Sequence, residues 1–213
     1  MRVALIGATG FVGSHIREEL LNRRHDVTAI VRNPEKLPVR MGLVAKKADV
    51  FDVDGLVSLL QGHDAVISAY GFDKAADDKY HNMVGGAEAI IAAVKKAGIT
   101  RLLVVGGAGS LEVAPGQQVI DQPDFPEDWR PGALGTREFL YKLREETDLD
   151  WTFLCPASNL FPGERTGSFR LGGDQLLVDE KGECRISLPD YAVAMVDELE
   201  EPQHIRRRFC VAY

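Results

Sequence analysis

Apolar residues fall along this chain in short solid runs separated by longer stretches of helical spacing. Val3-Ala4-Leu5-Ile6 is such a run, and Val12, Ile16 and Leu20 follow at four-residue intervals. An uninterrupted apolar run suits a strand buried on both faces, whereas a four-residue recurrence puts side chains on one face of a helix. The alternation continues, with strands expected at Asp26–Arg32, Leu43–Ala48, Asp64–Ser68, Arg101–Val105 and Trp151–Cys155. Between them the pattern predicts a short helix over Asp54–Leu60. A longer one carries Met83, Val84, Ala87, Ile90, Ile91 and Val94, and Lys95-Lys96 and Gly98 stop it. Leu134–Glu146 reads as another helix. Ser187-x-x-Asp190 reads as the cap of a last one bearing Ala192, Val196 and Leu199, ahead of a short strand over Phe209–Ala212. Glu112–Pro131 has no periodicity and predicts a long loop over the active-site edge.

Strands alternating with helices imply an α/β fold: a Rossmann-type doubly wound parallel sheet in three layers, with helices on both faces. Right-handed crossovers then put a ligand outside the carboxyl ends of the strands. No linker interrupts the pattern, so a single domain over residues 1–213 is expected, with about 156–186 forming a small cap on the substrate side.

Charge and composition narrow the classes. A formal net charge of −7 argues against a nucleic-acid partner, and the Arg206-Arg207-Arg208 run reads as a solvated face leading into a strand. Cys155, Cys184 and Cys210 lack metal-binding spacing and fit reduced thiols. The apolar opening breaks at Gly7, too early for a signal peptide, and no run approaches the roughly 20 apolar residues of a membrane span. The expectation is a soluble cytoplasmic protein, monomer or homodimer, with no metal and no membrane partner.

The chemistry is concentrated where the first strand enters Gly7-x-x-Gly10-x-x-Gly13 and a helix follows at once. In that setting Gly7 permits the tight turn, Gly10 lets backbone approach a pyrophosphate, and Gly13 lets helix and strand pack; free amides at the helix start face the anion. Thr9, Phe11 and Val12 lie between these glycines and are assigned to the cofactor with them. The second strand ends about 20 residues on, where the fold reads the adenosine ribose. An NAD-preferring site carries Asp or Glu there; this chain has Arg32, with Lys36 one turn later. A guanidinium suits a 2′-phosphate, so NADP(H) is preferred and NAD(H) remains possible. The bland alternative is a solvated loop residue. Asp49, followed by Val50, ends the third strand and can accept from the adenine amino group or cap the next helix; the spacing leaves both open. Ala69, Tyr70 and Gly71 after strand four, Gly106 and Gly107 after strand five, and Pro156 and Ala157 after strand six complete the expected cofactor contacts.

These motifs resemble the atypical short-chain dehydrogenase/reductase superfamily. The similarity runs through almost the whole chain, on the glycine motif, Val31-Arg32-Asn33-Pro34, Ala48-Asp49-Val50 and the turn at Gly106. Within it the chain is most similar to the bacterial NADH-flavin reductase group, itself similar to flavin and biliverdin reductases. Members that oxidise alcohols or epimerise sugars use a Tyr-x-x-x-Lys pair on the helix after strand five. Here that helix offers Ala133-Leu134-Gly135-Thr136-Arg137, with alanine for tyrosine and arginine for lysine, although Arg137 can still orient a ribose. The one literal match, Tyr70 to Lys74, falls in an expected loop and is read as chance. No catalytic acid or base is therefore assigned. The resemblance implies hydride transfer from NAD(P)H to a flavin or similarly flat acceptor, with flavin a substrate and not a tightly held cofactor. Tyr70, His81 and Ser110 are the candidate acceptor-pocket residues; helix packing is the other reading for His81. Alternative readings are a non-catalytic nucleotide sensor, like nitrogen-metabolite-repression regulators, and a sugar-nucleotide epimerase or dehydratase.

Overall fold

β1 (Arg2–Ile6) is the hub of the molecule, pairing in parallel with β2 (Asp26–Val31) on one side and β4 (Ala65–Ser68) on the other. The computed structural model describes residues 1–72 and 77–213. β3 (Leu43–Lys47) lies outside β2, and β5 (Arg101–Val105) lies outside β4. Within one loop after β5, β6 (Glu112–Ala114) and β7 (Gln117–Gln118) form a small hairpin, turning at Gly116 with φ +73°. β8 (Asp150–Cys155) extends the main sheet beyond β5. β9 (Asn159–Phe161) stands apart and pairs in parallel with β11 (Arg185–Ser187). β10 (Arg170–Gly172) runs antiparallel to β12 (Arg207–Ala212), which itself lies parallel to β8. The eight-stranded order is β10-β12-β8-β5-β4-β1-β2-β3. The chain thus winds outward in both directions from β1, and the reversal falls between β1 and β4, where a doubly wound sheet opens a crevice at its carboxyl edge.

Two cores flank the sheet. α1 (Gly13–Asn22) and α5 (Leu188–Glu200) cover one face with Ile16, Leu20, Tyr191 and Val196, packed on Val3, Leu5 and Leu103. α2 (Val53–Leu60), α3 (Lys79–Lys96) and α4 (Arg130–Glu145) cover the other with Leu56, Ile90 and Phe139, on Ala4, Val66 and Leu102. Adjacent strand residues feed opposite cores, so the inner strands read as solid apolar runs. α3 and α4 approach closely because α4 has no side chain at Gly135, where a β-carbon would lie 2.6 Å from the Met83 β-carbon; one on Gly132 would lie 2.2 Å from the ring of Phe72, in the loop after β4.

Three expectations are corrected. α4 begins at Arg130 and not Leu134, with Pro131 in its first turn, where the missing amide costs nothing. The stretch 112–131 is only partly irregular, since it holds the β6–β7 hairpin and a 3-10 turn over Val119–Asp121. Arg208 is not solvated: its side chain is 1% exposed and pairs with Asp174 while donating to the Ser110 carbonyl. Segment 156–186 contributes β9 and β11 to a separate pair and β10 to the main sheet edge.

Candidate functional site

Three strand ends converge on Gly7. Its amide donates to the Ile30 carbonyl at 3.1 Å, and the Ala69 amide donates to the Ile6 carbonyl at 2.9 Å. Gly7 sits at φ +81°, and a β-carbon there would lie 2.4 Å from the Ala69 carbonyl oxygen. A β-carbon on Gly13 would stand 2.2 Å from the Gly7 carbonyl oxygen, so α1 can rest against the end of β1 only as glycine. Gly10 is less confined, with 3.2 Å to the same oxygen. Thr9, Gly10 and Phe11 are exposed and Val12 is half-buried. Among the described residues the amides of Phe11, Val12 and Gly13 have no acceptor. α1 also has no side-chain cap and no acidic residue in its first turn. Three successive unpaired N–H groups at a helix start form a concave anion seat.

Arg17 braces this loop from behind, donating from Nη1 to the Ala8 carbonyl at 3.1 Å and pairing with Glu18 at 2.8 Å. Sequence reading missed it. Its signal was a cation in the first turns of a helix, against the dipole.

Arg32 is exposed just beyond β2, and Lys36 is exposed in the 3-10 turn Pro34–Lys36. The Ala48 amide donates to the Val31 carbonyl at 3.1 Å, bringing the Asp49 strand end beside Arg32. Asp49 accepts from the Phe51 amide at 3.0 Å, and the cap of α2 is Asp52, which accepts from the Gly55 amide at 3.0 Å. The helix-capping alternative for Asp49 is thereby removed. Val50 is half-buried against the α2–α4 core.

On the other side of the crevice, Tyr70 donates its hydroxyl to Asn82, with Oδ1 at 3.0 Å and the carbonyl at 3.1 Å. Its ring occupies space that Gly86 leaves, 2.3 Å from where a β-carbon would stand. Gly71 is exposed, and Lys74 lies outside the described residues. Gly106 is fixed by its amide on the Leu154 carbonyl at 2.8 Å and by the Phe153 ring, 2.3 Å from a would-be β-carbon. Gly107 faces Thr136 Cγ2 at 3.3 Å by the same measure. Pro156 and Ala157 are buried at the end of β8.

Two further pocket candidates have side chains engaged by neighbouring groups. His81 is not packed away: its side chain is 77% exposed in the first turn of α3, with Nδ1 2.6 Å from Asp78. Ser110 is buried, donates to the Gly107 carbonyl at 3.2 Å and lies 3.6 Å from Cys155 Sγ. Its hydroxyl is engaged inside the protein. Arg137 is held by Gln118 and Asp121, each at 3.1 Å. Ala133 packs toward Gly109, 3.6 Å from a β-carbon built there. Among the described residues no three His, Cys, Asp or Glu side chains gather as metal ligands, and no helix is long and apolar enough to cross a membrane.

The sequence profile of a family defined by NAD(P)H binding matches residues 7–202, from the first glycine of the loop to beyond α5. The chain belongs to the NAD(P)H-binding family. Its nicotinamide dinucleotide fits the observed seat, with glycine backbone at the turn, unpaired amides at α1 and cations beyond β2. This NAD(P)H-binding chain is 42% identical to the uncharacterised YwnB protein of Bacillus subtilis, over 99% of its own length and 98% of that protein. A candidate epimerase of Bacteroides thetaiotaomicron shares 45% identity at a TM-score of 0.94, covering 100% of this chain and 96% of that one. A candidate NADH-flavin reductase of Streptococcus pneumoniae shares 38% identity at a TM-score of 0.88, covering 100% and 99%. The expected membership of the atypical short-chain dehydrogenase/reductase group is borne out.

Proposed function

We propose that the protein is an NAD(P)H-dependent reductase that passes hydride to a flavin or a similarly flat acceptor. The observation that carries this reading is the face of α4 beside the Gly106–Ser110 turn. Ala133 and Arg137 stand where alcohol dehydrogenases and sugar epimerases of the superfamily carry tyrosine and lysine, and Arg137 is committed to Asp121. Tyr191, fully buried, donates to the Leu154 carbonyl at 2.7 Å, and Tyr70 is engaged by Asn82. A reaction needing a tyrosine proton at the cleft is poorly served. When bound, the reduced nicotinamide supplies a hydride, and an acceptor with an electron-poor ring nitrogen needs little more than alignment and exclusion of water.

In this reading the glycine loop and the α1 amides hold the pyrophosphate, Arg32 and Lys36 meet the 2′-phosphate, and Asp49 accepts from the adenine amino group. Ala69, Tyr70, Gly71, Gly106, Gly107, Pro156 and Ala157 line the path toward the redox ring. Tyr70 shapes the acceptor side as a fixed wall. The resemblance to the pneumococcal protein supports the flavin, and the resemblance to the Bacteroides protein keeps epimerisation as the competing outcome.

Purified protein mixed with NADPH and FMN should lose nicotinamide absorbance catalytically as reduced flavin forms. Tight dinucleotide binding without turnover on any flavin or quinone would overturn the reductase and favour a nucleotide sensor. Interconversion of a nucleotide sugar would favour the epimerase.

A further inference from the structure

Away from the glycine loop, a basin of about 560 Å³ opens where the amino ends of β8 and β12 meet the end of β10. Arg144, Arg206, Arg207 and Arg208 line it, together with Asp174 and Trp151. Four arginines gather there in a protein whose formal net charge is −7, with the Arg208 guanidinium already spent on Asp174 and the Ser110 carbonyl. Their carboxylate partners are fewer. Asp174 serves both Arg208 and, at 3.8 Å, Arg144, while Asp150 lies 3.6 Å from Arg206. The Arg207 side chain has no ion-pair partner among the described residues. Like charges so gathered repel unless an anion answers them.

Two independent observations mark the basin as built for a ligand. Trp151 is 3% exposed, and its indole Nε1 is buried with no hydrogen-bond partner among the described residues. A buried donor left without an acceptor is unusual, and this one belongs to a residue in the wall of the basin. Arg206, whose amide donates to the Trp151 carbonyl at 2.6 Å, holds φ +56°. That left-handed backbone is uncommon for a residue with a β-carbon, and such positions gather at binding sites.

We propose that this basin binds a small molecule carrying clustered anionic oxygens, as on a phosphoryl chain or a polycarboxylate, at a site separate from the dinucleotide crevice. Guanidinium forks suit paired oxygens of either source, and the side chains of Arg144, Arg206 and Arg207 are exposed to receive them.

Titration of the Trp129→Phe protein, whose remaining indole is Trp151, tests this by fluorescence with pyrophosphate in one arm and citrate in the other. A saturable change with either probe is expected, and the arm that responds names the source. The Arg206→Gly/Arg207→Ala variant should bind that probe at least about tenfold more weakly. Glycine suits the backbone at 206 and both side chains are exposed, so the variant should fold and keep its NADP+ affinity. No response to either probe at millimolar concentration would overturn the proposal. So would undiminished affinity in the double variant, because the anion would then occupy the glycine loop.

Discussion

Arg165 and Glu19 face each other through two parallel hydrogen bonds, Nε to Oε2 at 2.9 Å and Nη2 to Oε1 at 2.8 Å. Glu19 lies on α1, the helix that opens the glycine loop, and its side chain is 5% exposed. Arg165 belongs to the stretch between β9 and β10, so this fork ties the carboxyl-terminal part of the fold to the nucleotide side. Arg23 adds a second contact at 2.7 Å. Arg165→Ala should cost about 1 kcal/mol, because half of that side chain is exposed and Arg23 remains. Glu19→Ala should cost more, because it removes both the Arg165 fork and the Arg23 contact, although Arg23 keeps Asp197 and Glu200. Urea denaturation of both variants checks the order.

Stability should fall on the acid side. The Arg165 hydrogen bonds hold the Glu19 carboxyl below its ordinary range, against burial and with help from Arg23. For Glu198, burial raises the carboxyl, but hydrogen bonds from His204 and from the Gln203 and His204 amides outweigh it and leave a net lowering. A lowered carboxyl contributes stability that is full above the unfolded value of about 4.3 and vanishes as pH falls through the folded one. Melting temperature should therefore be flat above about pH 5 and drop below about pH 4. Glu19→Gln should melt at a lower temperature near neutrality and show a shallower acid limb; an unchanged limb would refute the assignment.

Gly13 and Gly10 should separate folding from binding. At Gly13 an added methyl meets backbone, which cannot swing aside, so Gly13→Ala should cost about 1–3 kcal/mol and most of the dinucleotide affinity. Gly10→Ala has more room within the protein and should lose about 1 kcal/mol or less. Its loss should appear in dinucleotide binding, because the new methyl enters the space of the pyrophosphate. Equal effects in paired denaturation and binding measurements would contradict this division.

Arg32→Asp should weaken NADPH binding by about 10–100-fold while leaving NADH within a few-fold, since a charge-assisted pair becomes a repulsion. Equal losses for both coenzymes would mean that Arg32 does not reach the 2′-phosphate.

The thiols should be silent in the native state. Cys155, Cys184 and Cys210 are all buried. Burial pushes the Cys155 thiol up to about 11, and burial with neighbouring Cys155 and Cys184 pushes Cys210 up to about 12. A thiol reagent should label none of them before unfolding and all of them after it.

The inner sheet was legible because β1, β2, β4, β5 and β8 are buried on both faces, and their apolar runs announce themselves without tertiary context. The glycine turn was legible for a related reason: its chemistry lies in backbone freedom, which the residue type alone encodes. β9, β10 and β11 were not, because three residues carry no readable period and their partners lie up to 42 positions away, as with Arg170 and Ala212. Ser110 and Arg208 show the other limit. Arg208 reads as part of a solvated face and Ser110 as a pocket residue, yet both are buried, and the Arg208 guanidinium donates to the Ser110 carbonyl from 98 positions away. The exposed place of His81 likewise follows from Asp78 starting α3 beside it.

The pairing of β10 with β12 alone has a consequence for how the molecule is made. Residues 170–172 leave the ribosome well before residues 207–212, and until the later strand slots in beside β8 the earlier one has no neighbour to dock on. The first four main-sheet strands, with the glycine turn among them, have all their partners within the first 105 residues. Translation thus delivers the nucleotide half as a workable nucleus, while the far margin of the sheet closes only when its latest segment arrives.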